Sequence, residues 1–306
     1  MTENHKNYTH GLLWAVTAVF IWSCSFVLLR FGITTNLNAY DLTALRFGTA
    51  AVCLCPIIIK KGFSFSRLGI TGVTLLVCGF GAPYVILISL ALKTAPASAA
   101  GALNPGIMAA SSVLIGATVF KDRIGPIRLT GMVLIGAGLL FSIFHQPNSF
   151  TEGHAILILT GIMWAIYAIT LRKTPIPALH ATSIVVVGSA LIYLPIYIFA
   201  LPQQISTTPI SDILLQMGFQ GMLVSIIAVF AFNRSVELLG PIIGASLPGL
   251  IPLLTLILSF VILQETAGFD EITTAIVTGL GVTLILAGGS RKDLSPQKNQ
   301  TIHKAH

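Results

Sequence analysis

The sequence Gly-Ala-Leu-Asn-Pro-Gly at residues 101–106 lies inside a long apolar run. It is matched by Gly-Ala-Ser-Leu-Pro-Gly at residues 244–249, which also lies inside an apolar run. Glycine and proline destabilise the interior of a helix, so their presence in such a segment needs a structural or functional reason. Two matched hexapeptides far apart in the chain indicate a duplicated unit. We therefore expect two similar halves that face each other.

The composition is that of a membrane protein. Of the 306 residues, 55% are apolar and only 9% are charged, and the mean hydropathy is +0.90. A soluble domain has about 25% charged residues. The formal net charge of +7 does not indicate nucleic-acid binding, because the basic residues of membrane proteins collect in cytoplasmic loops. We predict an all-α integral membrane protein that has the lipid bilayer as a partner and does not bind nucleic acid.

Ten apolar runs are long enough to cross a bilayer as helices, and we number them spans 1 to 10. They cover residues 11–32, 40–59, 68–91, 96–119, 126–144, 153–172, 180–201, 213–233, 241–263 and 272–290. The connections between them are too short to hold a soluble domain. We expect a first five-helix repeat at 11–144, a second at 153–290, and polar tails at 1–10 and 291–306.

Lys and Arg are unevenly distributed between the two ends of the spans. Fourteen of the 17 lie in the two tails and near the connections after spans 2, 4, 6 and 8. Only Arg30, Arg46 and Lys93 lie toward the other end. Because basic residues mark the cytoplasmic side, both termini are predicted to be cytoplasmic.

Four features recur in the same order in the two halves. A Trp is followed eight residues later by an Arg in spans 1 and 6, and a Gly is followed by a Pro in spans 2 and 7. The hexapeptides lie in spans 4 and 9, and two Gly seven residues apart lie in spans 5 and 10. The residues are Trp22 with Arg30, Trp164 with Arg172, Gly48 with Pro56, Gly188 with Pro195, Gly131 with Gly138, and Gly281 with Gly288. Because five spans is an odd number, the halves form an inverted repeat, as in many secondary transporters.

With these features the chain resembles the drug/metabolite transporter superfamily, and specifically its ten-helix EamA-type exporters. The resemblance covers about residues 11–290 and rests on motifs in both halves. They are Arg46-Phe47, the turn from Ala91-Leu92 to Pro96-Ala97-Ser98-Ala99, Pro105, Gly131 to Gly138, Pro248, Glu265 and Gly281 to Gly288. Two departures are Asp122 as the acidic residue that ends span 4, and a longer connection after Glu265.

The resemblance implies a function and a location. It implies a secondary transporter that exports a small metabolite, such as an amino acid or a related polar or amphipathic solute, across the inner membrane by alternating access. Protons are one candidate for the coupling ion. The sequence has no Asp or Glu near the centre of a span, which makes a carboxylate proton relay doubtful. An uncoupled facilitator or channel is therefore the main alternative, and a lipid- or sugar-linked flippase component is a weaker one.

Six polar or aromatic side chains inside the spans are the candidate contacts for a solute. An amide in the middle of span 4 either joins helices or binds a polar solute. Aromatic rings with a polar tip suit both a packed core and the wall of a cavity. Two glycines and a proline in residues 79–83 also predict a kink in span 3. The candidates are Trp22, Ser25, Tyr84, Asn104, Trp164 and Tyr167.

The glycines and prolines of spans 4 and 9 have two compatible interpretations. Small residues let helices approach closely. Proline bends a helix and frees a backbone carbonyl, which we expect to face the cavity and to allow gating. The residues are Gly101, Pro105, Gly244 and Pro248.

Arg46 lies about six residues into span 2, where a cation is costly unless it is paired or reaches the interface. It is either an anchor at the membrane surface or a contact for a substrate carboxylate. Arg30 and Glu265 are interpreted as local ion pairs at helix ends.

The motifs of other classes are missing. The sequence has no Gly-x-x-x-x-Gly-Lys-Ser/Thr loop for ATP, and no nucleophile–base pair or metal cluster inside the spans. We predict neither an enzyme nor an ATP-driven pump, and we expect no cofactor or metal.

Overall fold

The computed structural model describes residues 2–145, 151–174, 176–239 and 247–288. Spans 1 to 5 are the helices Thr2–Thr34, Ala39–Lys61, Phe65–Phe80 with Ala82–Ala91, Ala97–Val119 and Pro126–His145. Spans 6 to 8 are Glu152–Lys173, Ala178–Ala200, and the consecutive segments Ile210–Gln216, Met217–Ala228 and Val229–Leu239. The described part of span 9 consists of Leu247–Leu250, Ile251–Leu258 and Ser259–Leu263, and span 10 is Phe269–Ala287.

Within the described residues, nine helices are long and apolar enough to cross a membrane. The described part of span 9 adds a shorter apolar helix, Pro248–Leu263. Every regular element in these parts of the chain is a helix. The prediction of an all-α, multi-pass membrane protein is therefore confirmed.

Span 3 was expected as one helix and is divided at Gly81. Proline at position 83 has no N–H to continue the helical ladder, and Gly81 adopts φ −96° and ψ −147°. The N–H of Ala82, which has no acceptor in its own helix, donates to Oγ of Ser189 in span 7 at 3.0 Å. The predicted kink is confirmed, and a side chain from the second half stabilises it.

Polar contacts between helix ends define two faces of the bundle. At the first, His180 at the start of span 7 meets the carbonyl of Gly62 after span 2 at 2.8 Å, and Arg172 pairs with Asp122. We call this the basic face, because the connections rich in Lys and Arg lie there. At the opposite face, the N–H of Gly153 donates to Oγ1 of Thr94 at 3.1 Å.

Spans 5 and 10 pack together through matched glycines. A Cβ atom at Gly131 would lie 2.6 Å from the carbonyl oxygen of Gly281, and one at Gly281 would lie 2.7 Å from that of Gly131. Farther along, Gly138 faces Thr278, so the residue numbers fall in one helix as they rise in the other. Contact between equivalent residues of two antiparallel helices is the geometry of an inverted repeat.

The helix that contains the first hexapeptide packs tightly on the second half. A Cβ at Gly101 would lie 2.5 Å from Cβ of Thr255 in span 9, so a larger residue would separate spans 4 and 9. The helix Ala97–Val119 continues through Pro105, which is buried. In span 9, Pro248 lies in the 3₁₀ turn Leu247–Leu250. Gly244 lies outside the described residues.

Candidate functional site

A cavity that encloses about 750 Å³ of space, including open solvent, lies between the two halves. The described residues that line it belong to spans 1, 2 and 3 of the first half and to spans 6, 7, 8 and 9 of the second. Its wall is mostly aromatic and aliphatic. The polar side chains in the wall are Ser25, Arg46, Tyr84, Tyr167, Thr182 and Ser225, together with the indole groups of Trp22 and Trp164.

Phe80 is the centre of an aromatic cluster in this wall. Its ring stacks on Trp164 at 5.3 Å and on Tyr167 at 5.0 Å between ring centroids, with interplanar angles of 29° and 22°. The ring of Tyr84 lies 5.0 Å away on the same kinked span. The kink at Gly81 therefore places two successive aromatic side chains of span 3 beside span 6. Such flat apolar surfaces suit an organic solute.

Asn104 lies behind the aromatic wall and does not line the cavity. The hydroxyl of Tyr84 donates to Oδ1 of Asn104 at 2.9 Å, and Nδ2 of Asn104 donates to Oγ1 of Thr160 at 2.7 Å. The Asn104 side chain is wholly buried, with 0% exposure. Asn104 and the carbonyl freed by Pro105 were expected to face a solute, but span 4 contributes no described residue to the lining of this cavity, and a part for them in binding stays a prediction. Asn104 instead fixes the orientation of Tyr84.

Arg46 lines the cavity and is held by Gln220. Nη1 of Arg46 donates to Oε1 of Gln220 at 3.3 Å. Gln220 also accepts from Oγ of Ser25 at 3.0 Å and donates to the carbonyl of Ser25 at 2.9 Å. Gln220 is wholly buried, whereas Arg46 is 6% exposed. Arg46 is therefore not a surface anchor, which was one of its two interpretations.

Gln220 lies in the unusual part of span 8. The 12 residues Met217–Ala228 form a π-helix, in which each turn is wider than in an α-helix. Oγ of Ser225 donates to the carbonyl of Gln220 at 3.0 Å across this wide turn. π-helical segments occur frequently at functional sites. Here the segment presents the Gln220 amide to Arg46 and Ser25 from the other half.

An ion pair joins the halves at the opposite face. Nε of Arg30, in span 1, donates to Oε1 of Glu265, just after span 9, at 2.9 Å. Arg30 also donates through Nη1 to the carbonyl of Leu92. Leu29, which directly precedes Arg30, lines the cavity at this end. So does Ile88, which lies one helical turn before Leu92. The pair therefore lies between the cavity and the opposite face.

A second ion pair lies at the basic face and is the symmetry mate of the first. Arg172 is the residue of span 6 that matches Arg30, and it binds both carboxylate oxygens of Asp122, which follows span 4. The hydrogen bonds from Arg172 hold the pKa of the Asp122 carboxyl below its ordinary value, against the smaller effect of burial. The guanidinium also lies 4.3 Å from the centroid of the Phe120 ring.

Spans 4 and 9 end in the same backbone turn, which positions the two acids. Lys121 and Gln264 have left-handed backbones, with φ of 58° and 57°. The N–H of the next residue then points back to the carbonyl six residues earlier, from Asp122 to Gly116 at 3.5 Å and from Glu265 to Ser259 at 3.4 Å. A left-handed residue just after the last turn is a common way to end a helix.

Comparison with known proteins agrees with this arrangement. The EamA-like transporter family matches residues 9–144 and 151–287, which are nearly the whole chain. The chain belongs to the EamA-like transporter family. It is therefore a membrane transporter of the drug/metabolite transporter superfamily.

Two individual relatives are similar over most of their length. The uncharacterized transporter YyaM of Bacillus subtilis (strain 168) is 24% identical over 273 residues, covering 82% of this chain and 88% of the relative. A crystal structure described only as that of a protein has a TM-score of 0.61 at 20% identity, covering 92% of this chain and 99% of that chain. At this identity the second similarity shows the fold alone.

Six of the predicted site residues lie together in the cavity wall of this transporter, and their part in binding stays a prediction. They are Trp22, Ser25, Arg46, Tyr84, Trp164 and Tyr167. Sequence reasoning missed Phe80 and Gln220. Phe80 was visible as an aromatic residue inside the Gly-Pro kink, and Gln220 as a lone amide in an apolar run.

Proposed function

We propose that this EamA-family transporter exports a small amphipathic metabolite by alternating access, with amino acids and related solutes as the first class to test. The basic face is the cytoplasmic side of the inner membrane, and both termini lie there. The solute enters the cavity from the basic face and leaves at the opposite face. The energy source is the gradient of the solute itself or a coupled ion, with protons as the candidate.

The observation that carries this proposal is a cavity between two inverted halves with one matched ion pair toward each face. Arg30–Glu265 and Arg172–Asp122 both join the first half to the second. Rocking of the halves separates one pair while it keeps the other closed. This geometry supports a carrier over a continuous channel, because at most one end of the cavity opens at a time.

Transport by purified protein in proteoliposomes tests the proposal. Vesicles are loaded with a panel of radiolabelled metabolites, and counterflow is compared with that of protein-free vesicles. We expect accelerated exchange of at least one amphipathic member of the panel. No exchange of any solute, by protein that is folded and inserted, would contradict the function.

Cysteine labelling tests the proposed orientation. In a background without Cys24, Cys53, Cys55 and Cys78, an impermeant maleimide should label Thr207→Cys in intact cells. It should label Arg67→Cys only after permeabilisation. Both side chains are exposed, and they lie toward different faces. The reverse pattern would place the termini outside.

An uncoupled facilitator is the second candidate. Among the described residues that line the cavity there is no Asp or Glu to carry a proton. Counterflow measured with and without an imposed proton gradient separates the candidates. Uphill accumulation driven by the gradient indicates coupling, and its absence together with rapid exchange indicates a facilitator.

A further inference from the structure

Arg46 is a buried cation that pairs with no carboxylate in the part of the chain that the structure describes. Its only hydrogen bond to a described residue is the one to Gln220, and its Nε atom has no hydrogen-bond partner there. The ion pairs Arg30–Glu265 and Arg172–Asp122 do not involve Arg46. A buried guanidinium is costly unless an anion pairs with it. The unused donors in the cavity wall therefore favour a solute carboxylate, which a guanidinium can bind through two parallel hydrogen bonds.

Gln220 orients Arg46 but leaves its charge uncompensated. The amide is neutral, and Ser25 fixes it through two hydrogen bonds of 3.0 and 2.9 Å. It can therefore hold one edge of the guanidinium without neutralising it. A carboxylate next to the guanidinium would add the missing charge without displacing this partner. Gln220 is thus a positioning residue for the proposed anion contact.

The wall offers little to an ammonium group. No Asp or Glu is among the described residues that line the cavity. The ammonium of an amino acid would therefore meet no counter-charge among the described residues of the wall.

We propose that the cavity selects an organic acid that has one carboxylate, a flat apolar body and no ammonium group. Arg46 binds the carboxylate, and the aromatic cluster centred on Phe80 contacts the apolar body. The inference rests on the proposed function, because it names the solute class of the same cavity. It places simple aromatic and apolar acids ahead of the amino acids that the family suggests.

Four indole compounds with the same side-chain length test this selection. Indole-3-propionate has the carboxylate alone, tryptophan adds an ammonium, tryptamine has the ammonium alone, and indole-3-propionamide is neutral. Dissociation constants are measured by calorimetry on the whole protein in lipid nanodiscs. We expect indole-3-propionate to bind at least about tenfold more tightly than each of the others, the effect of one charge-assisted contact.

Two variants show where the selection comes from. Arg46→Gln should remove the difference between the acid and its amide, whereas Arg67→Gln, an exposed residue of the basic face, should keep it. The wild-type comparison decides the proposal even if Arg46→Gln does not fold. Tryptophan that binds as tightly as the acid, an amide that does so, or no binding by any of the four compounds would overturn it.

Transport separates failure of the inference from failure of the proposed function. If proteoliposomes exchange tryptophan or tryptamine faster than indole-3-propionate, the function stands and the selection of acids is wrong. If they exchange none of the compounds and none of the wider metabolite panel, the proposed function is wrong as well.

Discussion

The two matched ion pairs hold equivalent places in the two halves, but their surroundings differ. At the opposite face, Oε2 of Glu265 also accepts from Oγ of Ser259 at 2.6 Å and from the N–H of Ala97 at 3.3 Å. Its partner Arg30 is bound to the carbonyl of Leu92, so the pair is tied to both ends of the turn between spans 3 and 4. At the basic face, the two hydrogen bonds between Arg172 and Asp122 run from side chain to side chain and involve no backbone group.

This difference indicates which end separates more readily. Exposure differs little between the pairs, at 35% and 17% for Arg172 and Asp122 and at 20% and 25% for Arg30 and Glu265. The contacts differ more, because Glu265 also accepts from Ser259 and Ala97, and each hydrogen bond to a charged group contributes about 1.5–3 kcal/mol. We therefore expect the basic face to open more easily than the opposite face when no solute is bound. That order suits an exporter, which must receive its solute from the cytoplasm.

Removal of the charge at Glu265 should give the largest change in access to the cavity. Glu265→Gln weakens contacts with Arg30, Ser259 and Ala97 at once. A reporter cysteine at Val186, in the cavity wall of a cysteine-free background, should then be labelled roughly tenfold faster from the opposite face. The measurement is the rate of labelling by an impermeant thiol reagent added to one side of the membrane.

Asp122→Asn is the matched control for that variant, since it removes the equivalent charge at the other face. It should leave labelling from the opposite face unchanged. If both variants raise that rate equally, the pairs do not act at separate ends of the cavity, and the assignment of one pair to each face is wrong.

Asp122→Asn should itself have a smaller effect, seen from the basic face. Labelling of the Val186→Cys reporter from that side should rise about two- to fivefold, because the Asp122 carboxylate accepts hydrogen bonds from Arg172, whereas Glu265 accepts from three residues. Phe120 still contacts the Arg172 guanidinium in this variant and limits the change. A rise as large as that caused by Glu265→Gln at its own face would show that the two pairs are equally strong.

The sequence predicted the frame of this transporter more fully than its site. The length of the apolar runs and the positions of the charged residues were sufficient to predict the spans, because each bilayer crossing needs its own apolar run. The matched glycines indicated the inverted repeat, and Gly131 against Gly281 shows the physical reason, since only glycine permits that contact. Trp22 and Trp164 could be proposed as cavity residues because their depth in the membrane could be counted along the helix.

Side-chain contacts between residues far apart in the chain could not be predicted from the sequence. Asn104 was at the expected depth, but the rotation of its helix directs the side chain to Tyr84 and Thr160 rather than to the cavity. Gln220 and Arg46 are separated by 174 positions in the chain, and a π-helical segment brings them together. Arg30 and Glu265 were each interpreted as helix-end residues that anchor at the interface or form local ion pairs, whereas they pair with each other across the two halves.

Acidification gives the smallest expected effect and tests whether the basic-face pair is itself a pH sensor. The hydrogen bonds from Arg172 lower the pKa of Asp122 below its ordinary value of 3.8. Because the pKa is lower in the folded protein, ionised Asp122 stabilises the fold at any pH above the ordinary pKa. This stabilisation is lost only when the pH falls through the lowered pKa. Between pH 8 and pH 5 Asp122 therefore stays ionised and the pair stays intact. Labelling of Val186→Cys from the basic face, normalised to an exposed cysteine at Arg67 on the same face, should change by less than about twofold over this range. A larger change that persists in Asp122→Asn would assign the pH response to another group, whereas one that disappears in Asp122→Asn would show that this carboxyl titrates far above the value that its pairing with Arg172 predicts.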